Sequence, residues 1–194
     1  WRTDRGHADS VELLTISDAT ARTTALISGN VDAVDQVDVK TVELLSRNPN
    51  IVIEETTGPL HYTFPMRTDM APFDDNNVRM ALKHAVNRQE LLDKVLHGHG
   101  SIGNDNPIGP SYRYHAEDIP QREYDPEKAK WYLQQAGLSS LKVDLSAAEA
   151  AYTGAVDASI LFQSQAAPAG IEINVVREAN DGYWDNIWMN KPFC

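Results

Sequence analysis

An α/β domain is what this sequence predicts, and three observations carry that prediction. Apolar runs of strand length are separated by helical stretches whose starts and stops carry Ser, Asp, Asn, Gly and Pro. Segments 141–145 and 171–175 each alternate apolar and polar residues, the pattern of a strand with one buried face. Between residues 76 and 96, Val78, Ala81, Leu82, Ala85 and Val86 fall on one stripe of helical period. With 194 residues, 42% of them apolar, the chain can bury a substantial core as one domain.

In order along the chain, residues 11–16 read as a strand with apolar residues on both faces, and Ser17-Asp18 offers an N-cap oxygen to a helix over 19–28. Gly29 stops that helix, and 31–34 resumes as a short strand, favouring a parallel pair. A second helix over 39–47 is expected to turn Val42, Leu44 and Leu45 inward before Asn48-Pro49-Asn50 breaks it. Strand 51–55 follows, then an extended run 61–66 that Pro65 confines to an edge or a strand end. The 76–96 region divides into two helices, because Asn87 and Glu90 have the spacing of a capping box; Gly98 and Gly100 close the second.

Residues 99–124 lack periodicity and read as a long loop, kept ordered by Tyr112, Tyr114, His115 and Tyr124. Asp125-Pro126-Glu127 then places a cap, a first-turn proline and a dipole-compatible acid at the start of a helix ending near Ala136-Gly137. A helix over 152–165 joins the two alternating strands into a βαβ unit, for which a right-handed crossover is expected.

Charge and cysteine content narrow the function classes. Lys and Arg number 17 against 28 Asp and Glu, a net charge of −11 that disfavours nucleic acid or an anionic membrane face as the main partner. One cysteine, Cys194, allows neither an intrachain disulfide nor a multi-cysteine metal site. No run approaches the roughly 18 apolar residues of a membrane span, and the first residues do not read as a signal peptide. The chain is expected to be a segment of something longer, with any export signal outside it.

Three enzyme signatures are absent: there is no Gly-x-Ser-x-Gly elbow, no phosphate-binding Gly-x4-Gly-Lys-Ser/Thr loop and no His-Glu-x-x-His. His97 and His99, with Asp105 or His115, form the best metal candidate, against a solvated helix end where His97 meets the C-terminal dipole. A small α/β hydrolase or metal enzyme using His97, His99 and Asp105 is the alternative function. His7 and Asp9 could pair as base and orienter, or simply solvate the chain entry. A protein-interaction domain is a third possibility, and a large exposed apolar patch would mark it.

Residues 180–191 differ in kind. Tyr183, Trp184 and Trp188 lie within six residues, with both indoles on one face if the segment is helical. They either pack as core or leave one indole as a ligand platform, a rigid apolar face with one N–H donor; Ile187 is the surer core residue. Asn104-Asp105-Asn106 is the other polar cluster, either a turn former or a ligand contact.

Three blocks together resemble the middle of the peptide and nickel class (family 5) of bacterial extracellular solute-binding proteins. The first is Ser17 to Arg22 with Ala25, Leu26, Ser28, Gly29 and 31–34. The second and most specific is Pro72-Phe73-Asp74-Asp75 with Val78, Arg79, Ala81, Leu82, Ala85, Val86, Asn87, Arg88, Leu91, Leu92 and Val95. The third is Tyr124 to Lys130 with Leu133, Ala136 and Gly137. Trp1-Arg2 is similar to the close of the family's segment that leaves the first lobe.

The resemblance implies one lobe of a type II periplasmic binding fold, a mixed sheet flanked by helices, with residues 1–194 the middle of a two-lobed protein lacking its first lobe and final crossover. It implies a non-enzymatic ABC-importer receptor that needs no cofactor, captures a peptide, opine, sugar or chelate outside the cytoplasm, closes by hinge motion and serves a permease. Free and lipid-anchored forms both fit. It implies ligand contact for Trp184 and a basic ligand contact for Lys191; Tyr183, Trp188, Asn104 and Asp105 complete the expected ligand-binding set.

Overall fold

The computed structural model describes residues 4–56, 58–110 and 112–194, so Trp1-Arg2 lies outside the described residues. The chain divides into two compact units, residues 1–38 and 39–194.

In the first unit, α1 (Ala19–Ile27) begins as expected, with Asp18 Oδ1 accepting the Ala21 N–H at 2.8 Å. Gly29 takes the left-handed conformation (φ 72°) that lets the chain turn away. Neither flanking strand forms: 11–16 and 31–34 carry no ladder, and Val11 and Leu13 are 77% and 90% exposed. A strand needs a neighbour for its peptide groups, and this unit supplies a side-chain clip instead. Arg22 donates through Nη1 to the carbonyls of Ile16 and Ser17, and through Nη2 to that of Gln36.

The second unit opens with a 3-10 turn (Val39–Thr41) running into one turn of α2 (Val42–Leu45), a shorter element than the helix expected over 39–47. On a single turn the adjacent Leu44 and Leu45 point about 100° apart, so both cannot face the core. Leu45 is buried, and Leu44 is turned out to solvent. Segment 51–55 is also not a strand, and Val52 is exposed. Segment 61–66 is extended, and only Met66 pairs, antiparallel to Phe193.

The core follows the predicted stripe. α3 (Asn76–Ala85) buries Val78, Ala81, Leu82 and Ala85, with Val86 just beyond it, and packs them against Ala129 and Leu133 of α5 (Pro126–Gln135). Between them α4 (Arg88–Lys94) starts at Asn87, whose Oδ1 accepts the Glu90 N–H at 3.1 Å. The return bond of a capping box is replaced by a third residue. Gln165 Oε1 accepts the Asn87 N–H at 2.9 Å, and its Nε2 donates to Asn87 O and to Glu90 Oε2. The Tyr124 hydroxyl donates to the Gln165 carbonyl, tying the end of the long loop to the same point.

β1 (Leu141–Ala147) and β2 (Ile171–Arg177) pair in parallel, with Leu141 opposite Ile171 and Val143 opposite Ile173. α6 (Ala155–Ala166) is the crossover, starting three residues later than expected, and a 3-10 turn (Ala167–Ala169) leads from it into β2. One face of the pair is core; on the other, Lys142 Nζ meets Glu172 at 2.6 Å and Asn174 donates to Asp144 at 2.7 Å. At the strand's end alternation stops, because Ser146, Ala147 and Ala148 are all buried. There the Ser146 N–H donates to the Phe193 carbonyl, so the described sheet is a parallel pair extended by an antiparallel bridge.

Truncating the buried Gln165 to alanine leaves the partly buried Asn87 N–H without its acceptor, so Q165A should lower unfolding stability by about 1–3 kcal/mol, read as a shifted denaturant midpoint at unchanged slope. A pH dependence follows from His84, which is buried, stacks on Tyr132 and faces the Glu123 carbonyl at 3.1 Å through Nδ1. A carbonyl only accepts, so Nδ1 carries the proton of the neutral ring. Burial, opposed by that bond and reinforced by Lys128 and Arg122, pushes the His84 pKa below its ordinary value. The unfolded chain therefore binds the proton more readily. The stabilisation is present above the unfolded value of about 6.5 and is lost as pH falls through the lower folded value. The unfolding midpoint should drop across that range in the wild type and drop less in H84N.

Candidate functional site

The parallel pair delivers the chain after β1 and the chain after β2 to one edge, the place where α/β sheets bind ligands. A concavity of about 260 Å³ opens there, lined by Ser146 and Ala147 of β1, by Tyr152, by the extended segment Leu60 to Pro65, and by Tyr183, Trp184, Trp188 and Cys194. A second, of about 360 Å³, adjoins it through Pro65, Trp188 and Cys194, and is lined also by Arg67, Asp69, Met189 and Lys191. The two share enough wall to act as one open groove.

Each wall has a local cause. Glu149 reaches the free amides at the start of α6, accepting from Gly154 N at 2.7 Å and Val156 N at 3.4 Å. That turn places Tyr152 flat against Tyr62, with ring centroids 4.2 Å apart and planes 14° from parallel. Burial raises the pKa of both phenols, so each is a neutral donor at physiological pH. Asn180 ties the opposite loop in by accepting the Ala150 N–H at 3.0 Å.

The short helix α7 (Tyr183–Asn186) supplies the aromatic side. Tyr183 is 2% exposed and forms the floor within a small cluster of Ala148, Ile187 and Cys194. Burial raises its pKa, and burial likewise raises that of the Cys194 thiol in the same cluster. Trp184 stands up from that floor, 55% exposed, edge-on to Tyr183 and with its centroid 5.8 Å from that of Trp188. The two indoles therefore share a side of the chain, Trp184 toward solvent and Trp188 partly buried against the cluster. Lys191 is exposed on the rim.

The remaining predicted residues lie elsewhere. Asn104 donates to the carbonyls of Ile119 and Pro120 and accepts the Arg122 N–H at 2.9 Å. Asp105 pairs with Arg88 at 2.7 Å and Arg122 at 2.8 Å. Both residues thus close the long loop on itself and on α4, and neither lines the groove. His99 faces Glu55 at 3.0 Å and His115 faces the Ile108 carbonyl, so the residues of the metal-enzyme alternative are not gathered. Among the described residues no three of His, Cys, Asp and Glu are placed to hold a metal.

Tyr62, Tyr152 and Arg67 are groove residues that sequence reasoning did not single out. For Tyr152 a signal existed, since it follows the end of a strand expected to be parallel, where ligand contacts concentrate. For Tyr62 and Arg67 the signal is tertiary, because their partners Tyr152 and Met189 are remote in sequence.

The profile of bacterial extracellular solute-binding proteins, family 5, middle region, matches residues 1–193, and this chain belongs to that family. Heme-binding protein A of Haemophilus influenzae is 31% identical over 137 residues, covering 71% of this chain and 25% of its own length. Di/tripeptide-binding protein 1 of Pseudomonas aeruginosa is 28% identical over 139 residues, 72% of this chain and 26% of its own length. The chain thus spans about a quarter of these curated relatives. Among solved structures, the periplasmic binding protein DppA from Helicobacter pylori, in complex with the peptide STSA, superposes with a TM-score of 0.75 at 25% identity, over 87% of this chain and 32% of its own. NikZ from Campylobacter jejuni shares the fold, with a TM-score of 0.80 at 19% identity over 92% of this chain and 37% of its own. The fold is accordingly that of a type II periplasmic binding protein lobe.

The groove wall can be perturbed without touching its aromatics. Gly154 has φ 89°, and a Cβ there would sit 2.9 Å from Val95 Cγ1. G154A should destabilise the fold by about 1–3 kcal/mol through backbone strain and this clash, measured by denaturant unfolding.

Proposed function

We propose that the groove is the solute-facing wall of one lobe of an extracytoplasmic receptor for an ABC importer, and that residues 1–194 are the middle portion of that two-lobed protein. The protein captures a peptide-like or other small polar solute between its lobes and hands it to a membrane permease, without catalysing a reaction. It works outside the cytoplasm, free or lipid-anchored. The single observation that carries this reading is the exposed Trp184 indole at the mouth of a groove on the carboxyl end of the strands. An indole so placed offers a flat apolar face beside Lys191, a rim cation for an anionic solute group.

The names of similar proteins support the class and define the probes. Relatives are described as binding heme, di- and tripeptides and glutathione, and AgaA, at 25% identity, was solved with agropinic acid. Trp184, Trp188 and Lys191 are the proposed direct contacts, with Tyr183 beneath them. Asn104 and Asp105, whose partners lie within the long loop and on α4, are not among the proposed contacts. One lobe alone leaves a solute half in water, so tight binding belongs to the closed two-lobed form.

Calorimetric titration of the full-length protein with Met-Leu, glutathione, agropinic acid and heme tests this. At least one should bind, with W184A weakening it about threefold to tenfold, the scale of one aromatic contact. K191A should weaken Met-Leu with its free carboxylate more than the C-terminal amide of the same dipeptide. Binding that ignores both substitutions would overturn the assignment of this wall.

A further inference from the structure

We infer that Arg67 is a positioning residue which, aimed by Asp69, holds Met189 in a left-handed conformation and thereby sets where Trp188 and Lys191 stand on the groove. This inference deepens the proposed function and rests on it for the meaning of the groove, though not for the geometry. Met189 has φ 60°, a conformation that a residue with a side chain holds only when its surroundings impose it.

One observed bond holds Met189 from outside its own turn: its carbonyl accepts from Arg67 Nη1 at 2.5 Å. Arg67 is itself immobilised, because Asp69 accepts from Nε at 3.0 Å and from Nη2 at 2.5 Å. That bidentate grip fixes the guanidinium plane and leaves Nη1 directed at Met189, an arrangement a lysine ammonium lacks the fork to reproduce. The main chain beneath is paired as well, with Arg67 N–H donating to Pro192 O at 2.8 Å and Cys194 N–H to Pro65 O at 3.3 Å.

Trp188 immediately precedes the strained residue and Lys191 follows by two, while the Asn190 and Lys191 amides both donate to Ile187 O. Releasing Met189 to an ordinary φ would swing the chain on either side of it. Arg67 commits three of its five N–H donors, one on each nitrogen, to Asp69 and Met189, whereas Lys191 is exposed on the same rim. Arg67 therefore acts on the groove through the 187–191 turn.

Hydrogen exchange resolved by peptide, with hydroxyl-radical oxidation of Trp188, tests this in the full-length protein without any solute. R67A should raise exchange across 187–191 about tenfold, the lower range expected when imposed backbone strain is released. Trp188 oxidation should rise with it while β1 and α6 stay protected, and R67K should recover only part of the loss. The diagnostic variant is R67A/M189G: glycine holds a positive φ without a Cβ penalty, so exchange should return toward wild type. Unchanged exchange in R67A would overturn the inference. So would loosening that spreads through β1 and α6 and is not reversed by M189G. Should R67A fail to fold, R67K and D69N are read by the same criteria. Failure of every probe solute to bind would count against the proposed function and leave these readouts decisive for Arg67.

Discussion

Parallel pairing of β1 with β2 across the α6 crossover is the constraint on which the rest of this structure depends. Two parallel strands end at the same edge, so the turn after β1 and the helix after β2 are carried to one place however far apart they lie in sequence. The Ser146 amide then recruits Phe193, whose bridge to Met66 brings the extended 60–69 segment alongside. Four stretches of chain meet there, and the groove is the space they leave.

Polar residues mostly hold these stretches in place. Gln165 joins α6 to the start of α4 and, through Tyr124, to the end of the long loop. Asp105 with its two arginines and Asn104 with its three backbone partners close that loop, whose described residues form no strand or helix. Glu149 turns the chain so that Tyr152 meets Tyr62, and Asp69 aims Arg67. Backbone groups outside a ladder still need partners, and side chains supply them. The groove surface is correspondingly dominated by aromatic and small residues, with few charges at its rim.

Burial tunes this surface in one direction. Tyr62, Tyr152, Tyr183 and Cys194 all have their ionisation suppressed, chiefly by desolvation, so the wall stays uncharged and donor-rich near neutral pH.

By itself the sequence determined whatever short-range chemistry decides. Asp18, Asn87 and Asp125 cap their helices through the local hydrogen bonds their positions imply, and the Val78 to Ala85 stripe is buried residue for residue. The alternation of 141–145 and 171–175 marks the paired strands, and the two indoles of 184 and 188 share a side. Tertiary structure alone decided which apolar runs became strands. Segments 11–16, 31–34 and 51–55 have the composition but no ladder partner among the described residues, and composition cannot supply one. Leu44 and Leu45 are equally apolar and adjacent, yet only the folded turn settles which is buried. The Tyr62–Tyr152 stack, the Arg67 hold on Met189 and the engagement of Asp105 by arginines are contacts between distant positions. Periodicity and capping act over a few residues, whereas those contacts exist only once the strands have brought their carriers together.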